Sequence, residues 1–146
     1  MAEFNSKGRV VVGIDGSPAS DVALEWAANE AMIRNAVLEI VYVWSLPNMG
    51  YGGFVAQLDD FEKDAKVLLD DVEAGAKKRY PTLKIEAYLL QGPPAPALIE
   101  RGKLADLLVV GSRGHGGFTG LMLGSVSQQL VHHAVFPIVV IHPPHQ

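Results

Sequence analysis

Residues 106–127, DLLVVGSRGHGGFTGLMLGSVS, constrain the fold of this chain more than any other stretch. Leu107-Leu108-Val109-Val110 is a short, fully apolar run of the kind used by parallel strands buried on both faces. At Gly111 the run stops, and six glycines fall within fourteen positions, at 111, 114, 116, 117, 120 and 124. From Ser125, Val126-Ser127-Gln128-Gln129-Leu130-Val131 reads as a helix. Strand, glycine loop and helix start together turn backbone N–H groups toward an anion. Glycine permits positive φ and close approach of the main chain. The first amides of the helix lie unpaired at the positive end of its dipole. Phosphate is the expected guest.

Glycine content alone is weak, because any loop carries it. The spacing is stronger: two residues separate Gly111 from Gly114, nine separate Gly114 from Gly124, and a hydroxyl follows directly at Ser125, fit to cap the helix or meet a phosphate. Phe118, Leu121, Met122 and Leu123 predict a loop that folds back and packs. From these residues two readings stay open, a structural crossover into a capped helix or an anion-binding turn.

The rest of the chain alternates strand and helix patterns. Val10 to Ile14 predicts a central strand. Asp15-Gly16-Ser17-Pro18 is turn chemistry, with Ser17 or Ser20 as N-cap and Pro18 suited to a first helical position. Between Asp21 and Asn35, Val22, Ala23, Trp26, Ala27, Glu30 and Ala31 recur at helical spacing and predict one buried stripe. Val37 to Trp44 predicts a second strand, and residues 45–58 a long loop with Pro47, Gly50, Gly52 and Gly53. Phe61, Ala65, Leu68, Val72 and Ala76 mark a helix over 59–80, stopped by Pro81. Lys84 to Leu90 reads as a strand at a sheet edge. A short helix over 97–103 follows a proline-rich turn. The last helix is predicted over 125–134 and the last strand over 137–142. Five strands alternating with four helices predict a doubly wound α/β domain with a parallel sheet over residues 9–142. Residues 1–8 are expected to be disordered and 143–146 to form a tail.

Composition closes several alternatives. A formal charge of −4 argues against a surface for nucleic acid or membrane. The chain holds no cysteine, which removes disulfides and thiolate metal sites and fits a reducing compartment. Residues 1–8 lack the apolar core of a signal peptide, and no apolar run approaches the roughly 18 residues of a membrane span. A cytoplasmic protein is expected.

Gly111-x2-Gly114-x9-Gly124-Ser125 resembles the nucleotide-binding signature of the universal stress protein family, in its ATP-binding form. Val10 to Ser17 (VVVGIDGS) resembles the family's first strand and its acidic end, Ala23-Leu24-Glu25-Trp26-Ala27 its first helix, and Phe136-Pro137-Ile138-Val139-Val140 its last strand. The resemblance spans residues 9–142. With right-handed crossovers it implies strand order 3-2-1-4-5, an adenine nucleotide alpha hydrolase-like sheet. Ligands of such sheets bind at the carboxyl ends of the strands where the winding reverses, between strands one and four. Gly13, Ile14 and Asp15 end strand one there, and Val110 and Gly111 end strand four.

The resemblance implies ATP or another adenine nucleotide, with Mg2+ or Mn2+ as a possible companion. Two readings are open for Asp15: a carboxylate capping its turn, or a contact to adenine or ribose. A carboxylate facing a triphosphate would be repelled, so the second reading puts Asp15 at the base end or on a divalent ion. Gly13 would let the ligand lie close to the strand. Val43 resembles the position whose backbone reads the adenine edge, while Trp44 is expected to pack. Phosphate is expected on the amides of Ser112, Arg113, Gly114 and Gly124 to Val126, with hydroxyls of Ser125 and Ser127. His115 and Gly117 belong to the same loop. Arg113 is either a phosphate partner or a solvated arginine.

No GxxxxGK[ST] or SGGxDS stretch is present, so efficient phosphoryl or nucleotidyl transfer is not expected. The favoured reading is a nucleotide-sensing regulatory module of the stress response. Alternatives are a slow ATPase, a binder of AMP or cyclic AMP in the same pocket, or a dimerisation scaffold with an empty crevice, against which the intact glycines speak. Strand five is apolar on both faces yet belongs at a sheet edge, which needs covering. The resemblance implies a homodimer paired through Ile138 to His142.

Overall fold

The computed structural model describes residues 6–45, 58–112 and 124–143. Its elements are β1 (Arg9–Ile14), α1 (Pro18–Arg34), β2 (Val37–Trp44), α2 (Leu58–Arg79), β3 (Ile85–Gln91), α3 (Pro94–Gly102), β4 (Leu107–Gly111), α4 (Ser125–His133) and β5 (Ile138–Ile141). All strand pairings are parallel, in the order β3-β2-β1-β4-β5. This is the doubly wound sheet expected from the alternating patterns.

Two cores follow from the period-two alternation of side chains along each strand. Val10, Val12, Ile14, Leu38, Ile40, Leu107 and Val109 face α1 and α2. Val11, Val41, Leu108 and Val110 face α3 and α4 through Leu98 and Leu130. The continuous valines of β1 are thus needed on both sides.

Local chemistry moves several boundaries. Helix α1 begins at Pro18 because Ser17 is its N-cap, the Ser17 Oγ accepting from the Ser20 amide at 3.2 Å. It ends at Asn35, whose left-handed φ of 53° is a conformation asparagine tolerates. Helix α3 starts three residues before the expected 97, at Pro94. Prolines fit a first helical turn, where an N–H has no intrahelical acceptor anyway. The predicted stripe on α1 is corrected in one respect: Trp26 is 37% exposed, and the buried face consists of Ala19, Ser20, Ala23, Leu24, Ala27, Ala28 and Ala31. Small side chains let the helix lie close on β1 and β4, and a tryptophan is too large for that seam.

Two buried carboxylates organise the amino-terminal half of the sheet. Glu39, in register with Val11 and Glu86, has no solvent exposure. Arg101 of α3 grips it with Nε and Nη2, each at 2.6 Å, and Arg9 Nη1 donates at 2.8 Å. Arg9 also reaches Glu86, which accepts from the Tyr88 hydroxyl, and the Arg101 guanidinium lies 4.4 Å from the Tyr88 ring centroid. A buried carboxylate is tolerated only with such partners. Asp106, 7% exposed, holds the segment before β1: its carboxylate accepts from the Lys7 amide at 2.6 Å, the Gly8 amide at 3.0 Å and the Ser6 hydroxyl at 3.0 Å. Residues 6–8, expected to be disordered, are therefore ordered by bonds to a residue about 100 positions away. Residues 1–5 lie outside the described residues.

Burial by itself would raise the Asp106 pKa, but the bonds from Lys7, Ser6, Gly8 and the Arg9 amide outweigh it and hold the carboxyl below its ordinary value. A lowered folded-state pKa contributes stability above the unfolded value, roughly 3.9, and that stability is lost as pH falls through the folded value. Asp106→Asn is predicted to destabilise the fold by about 1.5–3 kcal/mol at pH 7. Urea unfolding should show the gap to the unsubstituted protein closing below about pH 4. A gap that stays constant with pH would contradict this role.

Candidate functional site

Chain leaving β1 turns through α1 toward β2 and β3, whereas chain leaving β4 turns through α4 toward β5. The carboxyl ends of β1 and β4 are neighbours, and the winding reverses between them. Gly13, Ile14 and Asp15 on one side and Val110, Gly111 and Ser112 on the other stand at this reversal, where the strand order places the expected crevice.

The two strand-end glycines face opposite cores. A Cβ on Gly13 would stand 3.0 Å and 3.1 Å from the Leu98 methyls and 3.4 Å from Val110 Cγ1, so the space its hydrogen leaves is filled by α3. A Cβ on Gly111 would stand 2.9 Å from the Ala19 carbonyl carbon, closer than packed atoms allow. Gly111 thereby lets β4 end directly against the first turn of α1. Both glycines serve packing.

Asp15 realises the capping reading: its Oδ1 accepts from the Ser17 amide at 2.9 Å, and its own amide approaches the Ser20 hydroxyl at 3.4 Å. Beside it lies Tyr42, in register with Ile14 on β2. Burial raises the Tyr42 pKa and the Asp15 charge raises it further. Sequence reasoning did not single out Tyr42; its place, two residues from the end of a strand next to β1, was the available signal. Ile14 and Val110 are buried in opposite cores, Val43 is half-buried beside the second, and Trp44 is buried as a packing residue.

Ser112 is the centre of the other wall. Its amide donates to the Ile141 carbonyl at 2.8 Å, and its carbonyl accepts from the Gly124 amide at 2.5 Å and the Ser127 hydroxyl at 3.1 Å. Its own Oγ, in a residue 1% exposed, has no hydrogen-bond partner among the described residues. Leaving a buried hydroxyl unsatisfied costs on the order of 1–3 kcal/mol, and such groups in native structures call for a missing partner.

That hydroxyl stands beside an uncapped helix. Helix α4 has Gly124 as N-cap, with no side-chain cap and no acid in its first turn. Helix α1, by contrast, carries the Ser17 cap and Asp21. The amides of Ser125, Val126 and Ser127 have no intrahelical acceptor, and the helix dipole there is uncompensated. Ser125 is exposed and Val126 half-buried. The Ser127 expectation is corrected: its hydroxyl is buried and donates to protein carbonyls, so its proton is not free for a phosphate. Arg113, Gly114, His115 and Gly117 lie outside the described residues. Among the described residues no three acidic, cysteine or histidine side chains gather as metal ligands, and no helix is long and apolar enough to cross a membrane.

Helix-start amides without intrahelical acceptors thus lie at the α4 end and a carboxylate at the Asp15 end. The model of the universal stress protein family matches residues 7–142. A universal stress protein of Mycolicibacterium smegmatis is 39% identical over 147 residues, covering 98% of this chain and 48% of that protein. The chain thus spans about half the length of the curated relatives it matches. Among solved structures, a universal stress protein from Lactobacillus plantarum superposes with a TM-score of 0.78 at 22% identity, over 94% of this chain and 99% of that one. A universal stress protein solved in complex with cAMP superposes with a TM-score of 0.65 at 27% identity, over 96% of this chain and all of the other.

Proposed function

The chain belongs to the universal stress protein family, and from that membership we propose that it binds an adenine nucleotide, ATP first, between β1 and β4 as a sensing module of the stress response. The observation that carries this is the buried Ser112 hydroxyl, without a partner among the described residues, in the residue that bonds the uncapped first turn of α4. Phosphate oxygens would satisfy both at once, because they only accept. Gly111, the Ser112 hydroxyl, the amides of Ser125 and Val126 and the Ser125 hydroxyl are assigned to the phosphates, with Arg113, Gly114, His115 and Gly117 of the intervening loop; the Ser112 and Gly124 amides, expected there from the sequence, are instead given to the Ile141 and Ser112 carbonyls. Asp15, Tyr42 and the Val43 backbone are assigned to the base and ribose, where a carboxylate is kept away from the phosphate charge.

A related protein solved with cAMP supports an adenine nucleotide over other anions. It also favours a second reading, in which a nucleotide with one phosphate is the resident ligand. Binding without efficient turnover is proposed, since Asp15 already caps its turn and catalysis would need positive charge at the γ-phosphate. No metal site is assigned. Calorimetry on nucleotide-stripped protein should give micromolar ATP binding, roughly −8 kcal/mol, with AMP weaker than ATP. Tighter binding of cyclic AMP than of ATP would establish the second reading. No heat from any of the three at millimolar ligand would refute the function.

We also propose that two chains pair through β5. Ile138 and Val140 face one core and Val139 and Ile141 the other, yet all four are only half-buried and the strand lies at the sheet edge. Light scattering at micromolar concentration should return the mass of two chains. A monomer mass would contradict the pairing.

A further inference from the structure

The first turn of α4 is fastened in an unusual way. In a capping box the side chain at the third helical position accepts from the N-cap amide, and so consumes a donor. Ser127 occupies that third position but does the reverse. Its hydroxyl donates, with one proton between two carbonyl oxygens, Gly124 O at 3.0 Å and Ser112 O at 3.1 Å. The Gly124 amide donates to the same Ser112 carbonyl at 2.5 Å. Two donors from one helical turn therefore converge on the residue that follows β4. With the Ser112 amide on Ile141, the main chain of Ser112 is held on both sides.

We infer that Ser127 is a positioning residue of the nucleotide site: it staples α4 to the end of β4 through carbonyls alone, and so fixes the phosphate-binding amides without using any of them. The inference rests on the nucleotide reading above and assigns Ser127 a different part in it from direct contact. Serine suits the place because the residue is 2% exposed and has room for little more than a hydroxyl. A glycine N-cap offers no side chain to compete for the amides, and Ser127 supplies the restraint that glycine lacks.

The test is Ser127→Ala, which keeps a good helix former and removes only the hydroxyl. Two readouts are needed: hydrogen exchange of the Gly124 amide in the ligand-free protein, and calorimetry of ATP and adenosine. Loss of the staple should speed Gly124 exchange and weaken ATP about fivefold, ~1 kcal/mol at 1.4 kcal/mol per tenfold. Adenosine, which has no phosphate, should change less than twofold. Unchanged Gly124 exchange with unchanged ATP affinity would overturn the inference, as would equal losses for ATP and adenosine, which mark a general loosening. If the unsubstituted protein binds neither ligand, the nucleotide reading fails and this inference with it. Normal binding by the unsubstituted protein alongside an unaffected variant would sink this inference alone.

Discussion

Where β4 ends, the peptide groups that leave a buried parallel strand must find partners in the space of one residue. Most of the molecule depends on how Ser112 does this. Its amide closes onto β5 and its carbonyl gathers two donors from α4, so one residue joins the last two strands to the last helix. Its hydroxyl is what the arrangement leaves over. Interiors seldom tolerate such a group, and the same residue's carbonyl is bonded to the start of a helix whose first amides have no intrahelical acceptor. A ligand that only accepts hydrogen bonds completes both.

The two ends of the sheet contrast. At the amino ends, Glu39 and Asp106 are buried charges whose hydrogen bonds come from arginines, amides and a hydroxyl of the chain itself. That end is electrostatically closed, and it fixes α3 and the start of β1. At the carboxyl ends, the acid that is present serves α1, and α4 receives no acid and no cap. Breaking a buried ion pair costs roughly 3–5 kcal/mol, so the amino end supplies rigidity against which an incomplete carboxyl end can be maintained. Leu98 and Arg101 of α3 touch both ends, one against Gly13 and the other against Glu39.

Much of the fold was legible because it is local. Consecutive valines in β1, the apolar run of β4 and the three- and four-residue steps of α2 each need only a short window. The strand order, and with it the point where the winding reverses, followed from the alternation and the family resemblance. What stayed hidden is set by distant partners. Glu39 looked like one polar residue in an apolar strand, and its bond to Arg101 spans 62 positions. Asp106 stands just before the apolar run of β4, with nothing nearby in sequence to show that residues 6–8 would fold onto it. Trp26 obeyed the helical period but lost its place in the seam to alanines. Ser127 was expected to offer its hydroxyl to a phosphate, but the direction of that hydroxyl depends on which carbonyls lie beside it. Gly111 and Gly13 were read for the ligand, and their packing against Ala19 and Leu98 could be seen only with the helices in place.

The central claim is that the Ser112 hydroxyl and the first amides of α4 receive a phosphate. Backbone amide NMR during titration with ATP, and separately with adenosine, addresses it residue by residue. The account predicts that the Ser125, Val126 and Ser127 amides move strongly downfield with ATP and stay nearly still with adenosine, as expected for N–H groups gaining a charged acceptor. Saturable ATP binding that leaves those three amides unmoved would contradict it.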